Sequence, residues 1–416
     1  MSKRLVVMSV DSLFTSDLEK VKDKVGFAEV LSDCIVIPNL TCIYPTLTYP
    51  CHTTMITGRY PASHGIIHNE ILNPSTNNAA WYWQYEAIQT PTLFDIVKKN
   101  GLTTAALSWP VTANGPIDHC IPEIWTLTYD RENQDLYRNA SKTGKEVYLR
   151  HKHLLEYKEN PRFDMFMEAC ALDIIENETP DVLLIHQASL DHERHVNGIQ
   201  APKVDEALVN HGYWIKNIIE AYKRKGIFEE TTFVILGDHG QLNIKRVVSL
   251  NEMLRRAGLI KTDGLGHVLD YRAYAQSAGI SCHIYVKDEK DIAKVDEVLA
   301  QAKEAGYIEE IFDSSAIQKM GLVGKMHYAV EACPYVSFSN EVDTDILCEF
   351  NEADYKNSLA THGHLPTKGD RPPMLIYNSK RKATTIEGGR LVDFLPTWLT
   401  LLDLDIPDGL DGQSLL

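Results

Sequence analysis

The sequence predicts an α/β fold, a three-layer sandwich in which a large, mostly parallel β-sheet lies between helices, with a smaller cap inserted beside it. Two observations carry this prediction. Apolar runs of strand length alternate with amphipathic segments of helix length, which is typical of a parallel sheet covered on both faces. The alternation breaks off between His239 and His362, where a separate group of predicted strands and a helix follows.

Five short apolar runs are predicted strands of the large sheet. They cover residues 4–10, 101–109, 181–187, 231–237 and 372–378. Three longer amphipathic segments are predicted helices, at residues 91–101, 162–179 and 204–226. The C-terminal segment 391–416 is predicted to form an apolar helix followed by a turn, and to pack on the core.

The chain of 416 residues is too long for one small core. Residues 277–313 have the pattern strand–helix–strand, and residues 335–350 have the pattern of a strand pair. We therefore predict a catalytic core formed by residues 1–250 and 350–416, and an inserted cap formed by residues 251–349. The alternative is that these segments are extra strands of the main sheet.

Composition narrows the class of partner and the compartment. A net charge of −16 disfavours a nucleic-acid polymer, although bound metal ions would reverse the local field and permit a phosphate-containing substrate. No apolar stretch is long enough to span a membrane, and no export signal is recognised. The eight cysteines form no CxxC pair and are predicted to be reduced thiols. We expect a cytoplasmic protein, and the sequence leaves its oligomeric state open.

Metal-ligating side chains follow several of the predicted strands. They are Asp11, Asp191, His195, Asp238, His239 and His362. The carboxyl ends of strands in one α/β sheet meet at a crevice, which is where such sheets bind ligands. A single aspartate after a strand is usually a turn or cap residue, but the ordered combination supplies nitrogen and oxygen ligands for two zinc-like ions.

Thr48 is the predicted nucleophile, with the segment behind it predicted to be helical. A threonine hydroxyl is a poor nucleophile at its ordinary pKa and needs a metal ion or a base. A zinc ion lowers the pKa of a bound oxygen strongly, and the N–H groups at a helix start favour a phosphoryl oxygen. Taken alone, the segment favours the interpretation of Thr48 as a simple helix cap.

The run from Thr48 to Asn69, TYPCHTTMITGRYPASHGIIHN, resembles the nucleophile segment of the nucleotide pyrophosphatase/phosphodiesterase family in the alkaline phosphatase superfamily. That family has Thr-Phe-Pro-Asn-His, then Thr-Gly-x-Tyr-Pro-x-x-His-Gly, then Asp-Asn. The motifs run in family order from Asp11 to His362, over nearly the whole chain apart from the cap. The resemblance implies an alkaline phosphatase-like fold with two zinc ions.

The resemblance also assigns roles residue by residue. Thr48 matches the nucleophile, and Asn69 the residue that steadies a phosphoryl oxygen. The ligands of one ion match Asp191, His195 and His362. The ligands of the second ion match Asp11, Asp238 and His239, and Thr48 bridges toward this second ion.

This sequence departs from the family pattern at two positions of the same segment. Cys51 stands where the family has asparagine, and His68 where it has aspartate. Neither position is a metal ligand in the pattern, so we expect both residues to bear on the substrate pocket.

The implied reaction is zinc-dependent hydrolysis of a phosphodiester or phosphoanhydride bond in a small molecule or nucleotide, through a covalent phospho-threonine. The alternatives on the same metal site are a phosphonate hydrolase resembling phosphonoacetate hydrolase, a phosphomonoesterase and a phosphomutase. A binding protein on an inactive enzyme fold is disfavoured because no metal ligand of the pattern is missing. A sulfatase is disfavoured because its nucleophile would fall on Thr48, which cannot become formylglycine.

Four residues bear on the choice between a diester and a monoester. A diester site offers an apolar wall to the second substituent, whereas a monoester site usually adds a cation for the extra charge. Tyr49 and Trp109 are the predicted apolar wall. Arg59 and Arg194 are the predicted cations of a monoester site. The sequence favours the diester.

Overall fold

The computed structural model describes residues 4–76, 79–125, 134–156, 159–350 and 358–416. The strands in these ranges, in chain order, are β1 (Arg4–Val10), β2 (Cys34–Ile37), β3 (Thr104–Leu107), β4 (His119–Ile121), β5 (Val182–Gln187), β6 (Thr231–Leu236), β7 (Leu242–Val248), β8 (Ile260–Thr262), β9 (Val268–Tyr271), β10 (Ala273–Ser277), β11 (Ser281–Val286), β12 (Ile308–Asp313), β13 (Tyr328–Ala332), β14 (Tyr335–Phe338), β15 (Leu347–Glu349), β16 (Ala360–Thr361), β17 (Met374–Tyr377) and β18 (Thr384–Thr385).

The α-helices in the same ranges are α1 (Asp17–Val21), α2 (Phe27–Ser32), α3 (Thr48–Thr57), α4 (Pro61–His64), α5 (Leu93–Lys99), α6 (Gln134–Asn139), α7 (Lys142–His151), α8 (Arg162–Asn177), α9 (Ser189–Asn197), α10 (Pro202–Arg224), α11 (Leu250–Arg256), α12 (Ile292–Glu304), α13 (Ser314–Lys319) and α14 (Phe394–Leu401). All five predicted main-sheet strands occur within their expected segments, as do the helices α5 and α8. The third predicted helix, α10, begins two residues before its expected segment, at Pro202.

The main sheet has eight strands in the order β18-β2-β17-β6-β1-β5-β3-β4. Strand β1 lies between β5 and β6 and is parallel to both. Strand β17 is antiparallel to both of its neighbours, whereas the other pairings in the sheet are parallel. The predicted α/β fold with a large, mostly parallel sheet is confirmed.

Each face of the sheet packs against helices, which gives the three layers. Side chains alternate between faces along a strand, so Val6 and Met8 of β1 join one apolar cluster while Leu5 and Val7 join the other. The first cluster is covered mainly by α8 and α10. The second is covered by α3, α5 and α14, so the C-terminal helix packs on the core as predicted.

The strands between β6 and β17 do not join the main sheet in the described residues. They form a four-stranded sheet β10-β11-β13-β12, a second sheet β14-β7-β15 to which β16 pairs, and the hairpin β8-β9. They enclose their own apolar cluster with α11 and α12. The division into a core of residues 1–250 and 350–416 and a cap of residues 251–349 stays a prediction. Strand β7, which lies outside the cap limits, pairs with the cap strands β14 and β15, and β16 pairs with β7.

Among the described helices, none is both long enough and apolar enough to cross a membrane.

Candidate active site

The strand ends of the main sheet bring the predicted ligands together. Because β5, β1 and β6 are adjacent and parallel, the residues that follow them meet at one edge of the sheet. A cleft of about 230 Å³ opens there. Its lining residues are Asp11, Thr48, Asn69, Trp81, Glu123, Trp125, Asn160, Ala188, Asp191, His192, His195 and His362.

One group of side chains converges on the imidazole of His239. Its Nε2 lies 3.1 Å from Thr48 Oγ1, 3.4 Å from Asp11 Oδ1 and 3.2 Å from Asp238 Oδ2. The backbone N–H of Ser12 donates to the other carboxylate oxygen of Asp238 at 2.9 Å. The threonine hydroxyl, two carboxylates and an imidazole therefore face one point.

The second group consists of Asp191, His195 and His362, whose ligand atoms lie within 4.8 Å of one another. The Nδ1 atoms of both imidazoles contact backbone carbonyls, that of His195 with Ala360 at 2.7 Å and that of His362 with Thr46 at 3.1 Å. A carbonyl can only accept, so each Nδ1 carries the proton and each Nε2 keeps a lone pair for a metal ion. Such backbone contacts fix both the tautomer and the orientation of a metal-binding histidine.

Helix α9 positions two of these ligands. Asp191 and His195 are four residues apart and thus share one helix face, with His195 Nε2 at 3.2 Å from Asp191 Oδ2. The helix has no cap from its own sequence, and Asp164 of α8 caps it instead. The Asp164 carboxylate accepts hydrogen bonds from the N–H groups of Ala188 at 3.1 Å and Ser189 at 2.8 Å.

Electrostatics in the cleft are unfavourable without a cation. Burial raises the pKa of Asp11 well above its ordinary value, and the nearby carboxylates of Asp191, Asp238 and Glu123 raise it further. Burial also raises the pKa of Asp238 and lowers that of His239 to about 4. The pKa of Asp191 would rise through burial, but the surrounding imidazoles lower it below its ordinary value. Carboxylates crowded into a buried site in this way favour a divalent cation.

Two buried carboxylate oxygens at the same edge of the sheet support the same conclusion. Asp11 Oδ1 and Asp238 Oδ2 have no hydrogen-bond partner among the described residues, although buried carboxylate oxygens are normally satisfied. Both belong to the group around His239 Nε2. The donor set of two carboxylates, an imidazole and a hydroxyl therefore fits a metal ion, as does the set of Asp191, His195 and His362.

Thr48 and Asn69 are joined through the start of helix α3. Thr48 is the first residue of the helix and is 7% exposed. The backbone N–H of Tyr49 donates to Asn69 Oδ1 at 3.0 Å. Because a backbone N–H can only donate, the amide orientation of Asn69 is fixed and its NH₂ group remains for another acceptor. Asn69 thus presents a donor beside the Thr48 hydroxyl in the cleft.

The structure contradicts the predicted apolar wall. Trp109 is fully buried and packs against His52 and Trp398, with ring centroids 4.8 and 6.4 Å apart. Tyr49 is also fully buried, and its ring lies behind that of Trp81 at 5.1 Å. Neither lines the cleft, because both belong to apolar clusters beneath it.

The predicted cations are also absent from the cleft lining. Arg194 is 1% exposed and is held by Asp17 and the ring of Phe14, 3.5 Å from its guanidinium carbon. It braces helix α9 against the loop after β1. Arg59 lies near Asp411, at 4.0 Å, and does not line the cleft. The suggestion that either holds a substrate charge is therefore wrong.

Cys51 and His68 do not line the cleft either, contrary to the expectation that they bear on the substrate pocket. Cys51 is fully buried in the apolar cluster on the face of α3 and α14. His68 is 3% exposed and contacts the cap. Both departures from the family pattern are thus structural contacts behind the site.

Sequence reasoning missed several residues that line the cleft, among them Trp81, Glu123 and Trp125. Trp81 and Trp125 lie with ring centroids 5.9 Å apart. Burial raises the pKa of Glu123, which accepts a hydrogen bond from Trp125 Nε1 at 3.0 Å, to about 8. None of the three follows a predicted strand that carried a ligand motif, so only the folded chain brings them to Thr48.

A three-layer α/β sandwich with carboxylates and imidazoles around a threonine hydroxyl at the strand ends is alkaline phosphatase-like. The family model for type I phosphodiesterase / nucleotide pyrophosphatase matches residues 5–363. The chain belongs to this family.

Curated relatives are similar over part of their length. An uncharacterized pyrophosphatase/phosphodiesterase of Schizosaccharomyces pombe is 24% identical over 236 residues, covering 55% of this chain and 43% of the relative. Ectonucleotide pyrophosphatase/phosphodiesterase 1 of Saccharomyces cerevisiae is 26% identical over 304 residues, covering 68% of this chain and 37% of the relative. The chain therefore spans less than half of the length of these relatives.

Solved structures share the fold over almost the whole chain. Human ectonucleotide pyrophosphatase/phosphodiesterase 5 has a TM-score of 0.69 at 16% identity, covering 99% of this chain and 97% of that one. An inactive threonine-to-alanine variant of the murine protein, in complex with AMP, has a TM-score of 0.69 at 16% identity, covering 98% and 96%. At this identity the likeness shows the fold.

Proposed function

We propose that this protein is a zinc-dependent phosphodiesterase or nucleotide pyrophosphatase that works through a covalent phospho-threonine. The observation that carries the proposal is the position of the Thr48 hydroxyl, 3.1 Å from His239 Nε2, at the centre of a donor set that includes Asp11 and Asp238. A buried helix-start threonine that served only as a cap would not need two carboxylates with unsatisfied oxygens beside it.

Two zinc ions would lower the pKa of the Thr48 hydroxyl and offset the charge of the leaving oxygen. The residues that would hold one ion are Asp11, Asp238 and His239 with Thr48, and those that would hold the other are Asp191, His195 and His362. Thr48 Oγ1, having given up its proton to solvent, forms a bond to phosphorus as the bond to the leaving oxygen breaks, and the leaving oxygen takes up a proton from water. The NH₂ group of Asn69 donates to a non-bridging oxygen as its charge develops. Water subsequently releases phosphate or phosphate ester from Thr48.

A diester or anhydride is favoured over a monoester by the charge of the cleft. Among its described lining residues there is no lysine or arginine to balance the extra charge of a monoester. Trp81 and Trp125 offer an aromatic wall instead, which suits an apolar or aromatic second substituent. A nucleotide is the proposed substrate class, supported by the family and by the murine structural neighbour that was solved with AMP. A phosphonate hydrolase, a phosphomonoesterase and a phosphomutase remain the alternatives.

The substrate class is tested by a panel assay on zinc-loaded protein. We expect kcat/KM for p-nitrophenyl thymidine 5′-phosphate to exceed that for p-nitrophenyl phosphate by at least about tenfold, about 1.4 kcal/mol of transition-state stabilisation. A tenfold preference for the monoester would replace the diesterase proposal with a phosphatase. Release of phosphate from phosphonoacetate as the fastest reaction would identify the phosphonate hydrolase.

Substitution of Asn69 tests its role beside the nucleophile. Asn69→Ala should lower kcat by about 10²-fold, because removal of one such donor has an effect of that size in other enzymes. Zinc content, measured by mass spectrometry, should not change, since Asn69 belongs to neither donor group. Turnover within a factor of three of the unmodified protein would show that Asn69 holds no developing charge.

We also propose a cytoplasmic location. The support is the state of the eight cysteines, all of which lie in described residues: each is unpaired and six are buried. A reducing compartment keeps such thiols free. Fractionation of cells with the thiols trapped by alkylation tests this, and recovery of the protein outside the cytoplasm would contradict it.

A further inference from the structure

His68, next to Asn69, connects the core to the cap. Its Nε2 lies 3.0 Å from the carbonyl oxygen of Ser277 in the cap. Its Nδ1 lies 2.9 Å from the backbone nitrogen of Glu70. Gln276 of the cap donates to the Glu70 carbonyl at 3.1 Å. The residues on both sides of Asn69 are therefore tied to the end of strand β10.

Three partners of His68 fix its protonation, since the NH₂ group of Gln276 also lies 3.4 Å from Nδ1. The Glu70 N–H can only donate, so Nδ1 accepts, and the Ser277 carbonyl can only accept, so Nε2 donates. The imidazole is neutral because burial lowers its pKa to about 4. The aspartate of the family pattern could accept from Glu70 but has no hydrogen for Ser277. The contact with the cap is thus a property of the histidine in this chain.

The same cap segment also supports the loop that carries His362. Ile280 N–H donates to the His362 carbonyl at 3.0 Å. Gly363 adopts φ +84°, and a Cβ there would lie 1.6 Å from the Ala278 carbonyl oxygen, so only glycine fits. The turn 277–281, between β10 and β11, therefore touches both the Asn69 segment and the His362 loop.

We propose that the cap turn 277–281 sets the position of Asn69 relative to the metal-binding side of the cleft, and that His68 is the positioning residue through which it acts. His68 touches no reacting atom. It holds the neighbouring peptide, so that Asn69 Oδ1 stays on the Tyr49 N–H and the NH₂ group stays aimed at the phosphoryl oxygen. The inference rests on the proposed function for its effect on rate.

Two substitutions separate the two contacts of His68. In His68→Asn the side-chain oxygen can occupy the place of Nδ1 and accept from Glu70, but the side chain is too short to reach Ser277. In His68→Gln the amide nitrogen can occupy the place of Nε2 and donate to Ser277. We expect His68→Asn to lower kcat about tenfold with zinc content unchanged, and His68→Gln to remain within about threefold.

A double-mutant cycle with Asn69→Ala distinguishes positioning from a general loss of packing. If His68 acts through Asn69, the tenfold effect of His68→Asn should shrink to less than twofold in the Asn69→Ala background. His64→Asn is the matched control, since His64 is equally buried in the same segment but contacts Thr54 and Ile66 of the core. Any loss of kcat that His64→Asn causes should be equally large in the Asn69→Ala background.

Equal losses from His68→Asn in both backgrounds, or equal damage from His68→Asn and His68→Gln, would overturn the inference. If His68→Asn does not fold, the cycle is run with Gln276→Ala, which keeps the imidazole but removes the contacts of the Gln276 amide with the Glu70 carbonyl and with His68 Nδ1. The loss of kcat caused by Gln276→Ala should likewise become smaller in the Asn69→Ala background. A loss of the same size in both backgrounds would overturn the inference.

Hydrogen exchange separates this inference from the proposed function. Release of Asn69 should expose the Tyr49 amide, so exchange in a peptide that contains Tyr49 should be about tenfold faster in His68→Asn than in unmodified protein. Unchanged exchange contradicts the positioning role even if the enzyme is active. If exchange of the Tyr49 peptide is faster in His68→Asn but the unmodified protein hydrolyses none of the esters, the positioning role of His68 is supported and the proposed function is rejected.

Discussion

Replacement of Thr48 by alanine should lower kcat on a phosphodiester by at least about 10³-fold, or roughly 4 kcal/mol of barrier. The reason is that Thr48 Oγ1 is the hydroxyl found beside His239 Nε2, at 3.1 Å, in the cleft. Without it no covalent intermediate can form. Steady-state assays on zinc-loaded protein measure the loss, and thermal unfolding checks that the variant remains folded.

Two matched variants control this experiment. Thr48→Ser keeps a hydroxyl and should retain more activity than Thr48→Ala. Thr53→Ala removes a buried threonine hydroxyl from the same helix, where it donates to the Tyr49 carbonyl at 2.8 Å, and should leave the phosphoryl chemistry intact. Near-normal turnover by Thr48→Ala would rule out the covalent mechanism.

Removal of a predicted ligand should empty one metal site. We expect two zinc ions per unmodified chain and about one in His362→Ala, because His362 belongs only to the group with His195. Asp191 also lies within ligand distance of Asp11 and His239, so Asp191→Ala should empty one site and leave the other partly filled. Loss of one ion from a two-metal site removes either activation or leaving-group stabilisation, so kcat should fall by at least about 10³-fold, roughly 4 kcal/mol. Chelation of both ions should abolish activity.

Metal content is measured by mass spectrometry after desalting. Glu193→Ala is the matched control, because this carboxylate lies two residues from Asp191 on the same helix but accepts a hydrogen bond from Asn197. It should keep both ions. Fewer than one tightly held ion in the unmodified protein would contradict the two-metal proposal, and two ions in Asp191→Ala would contradict the ligand assignment.

The absence of a described arginine or lysine from the cleft lining has a consequence for specificity. Under the proposed function, the described lining residues leave charge balance to the proposed metal ions, so we expect a dianionic monoester to be held less well than a monoanionic diester. In the same proposal, Trp81 and Trp125 would restrict the second substituent by shape and not by charge. The predicted wall of Tyr49 and Trp109 is wrong, but the preference for a diester is retained as a proposal. It rests instead on Trp81 and Trp125 and on the lack of lysine and arginine among the described lining residues.

The sequence by itself determined the features that depend on local pattern and side-chain chemistry. Strand β1 has the bounds predicted for it, Arg4–Val10, because a short apolar run bounded by polar residues has few alternatives in a buried parallel sheet. The residues after β1, β5 and β6 meet at one edge of the sheet, since the ends of neighbouring parallel strands must lie together. Asp11 and Asp191 line the cleft there, and Asp238 and His239 lie buried beside it. The motif around Thr48 indicated the family, and the family model confirms it.

Only the tertiary structure decided features that depend on contacts between distant segments. A tryptophan after an apolar strand looks the same in sequence whether it faces substrate or core, and packing against Trp398 places Trp109 in the core. Arg194 is charged, but Asp17, distant along the chain, neutralises it in the interior. The cleft contains Trp81, Glu123 and Trp125, and His68 contacts Ser277, because the folded sheet and cap bring distant segments of the chain together. No hydrophobic periodicity in the sequence relates these segments.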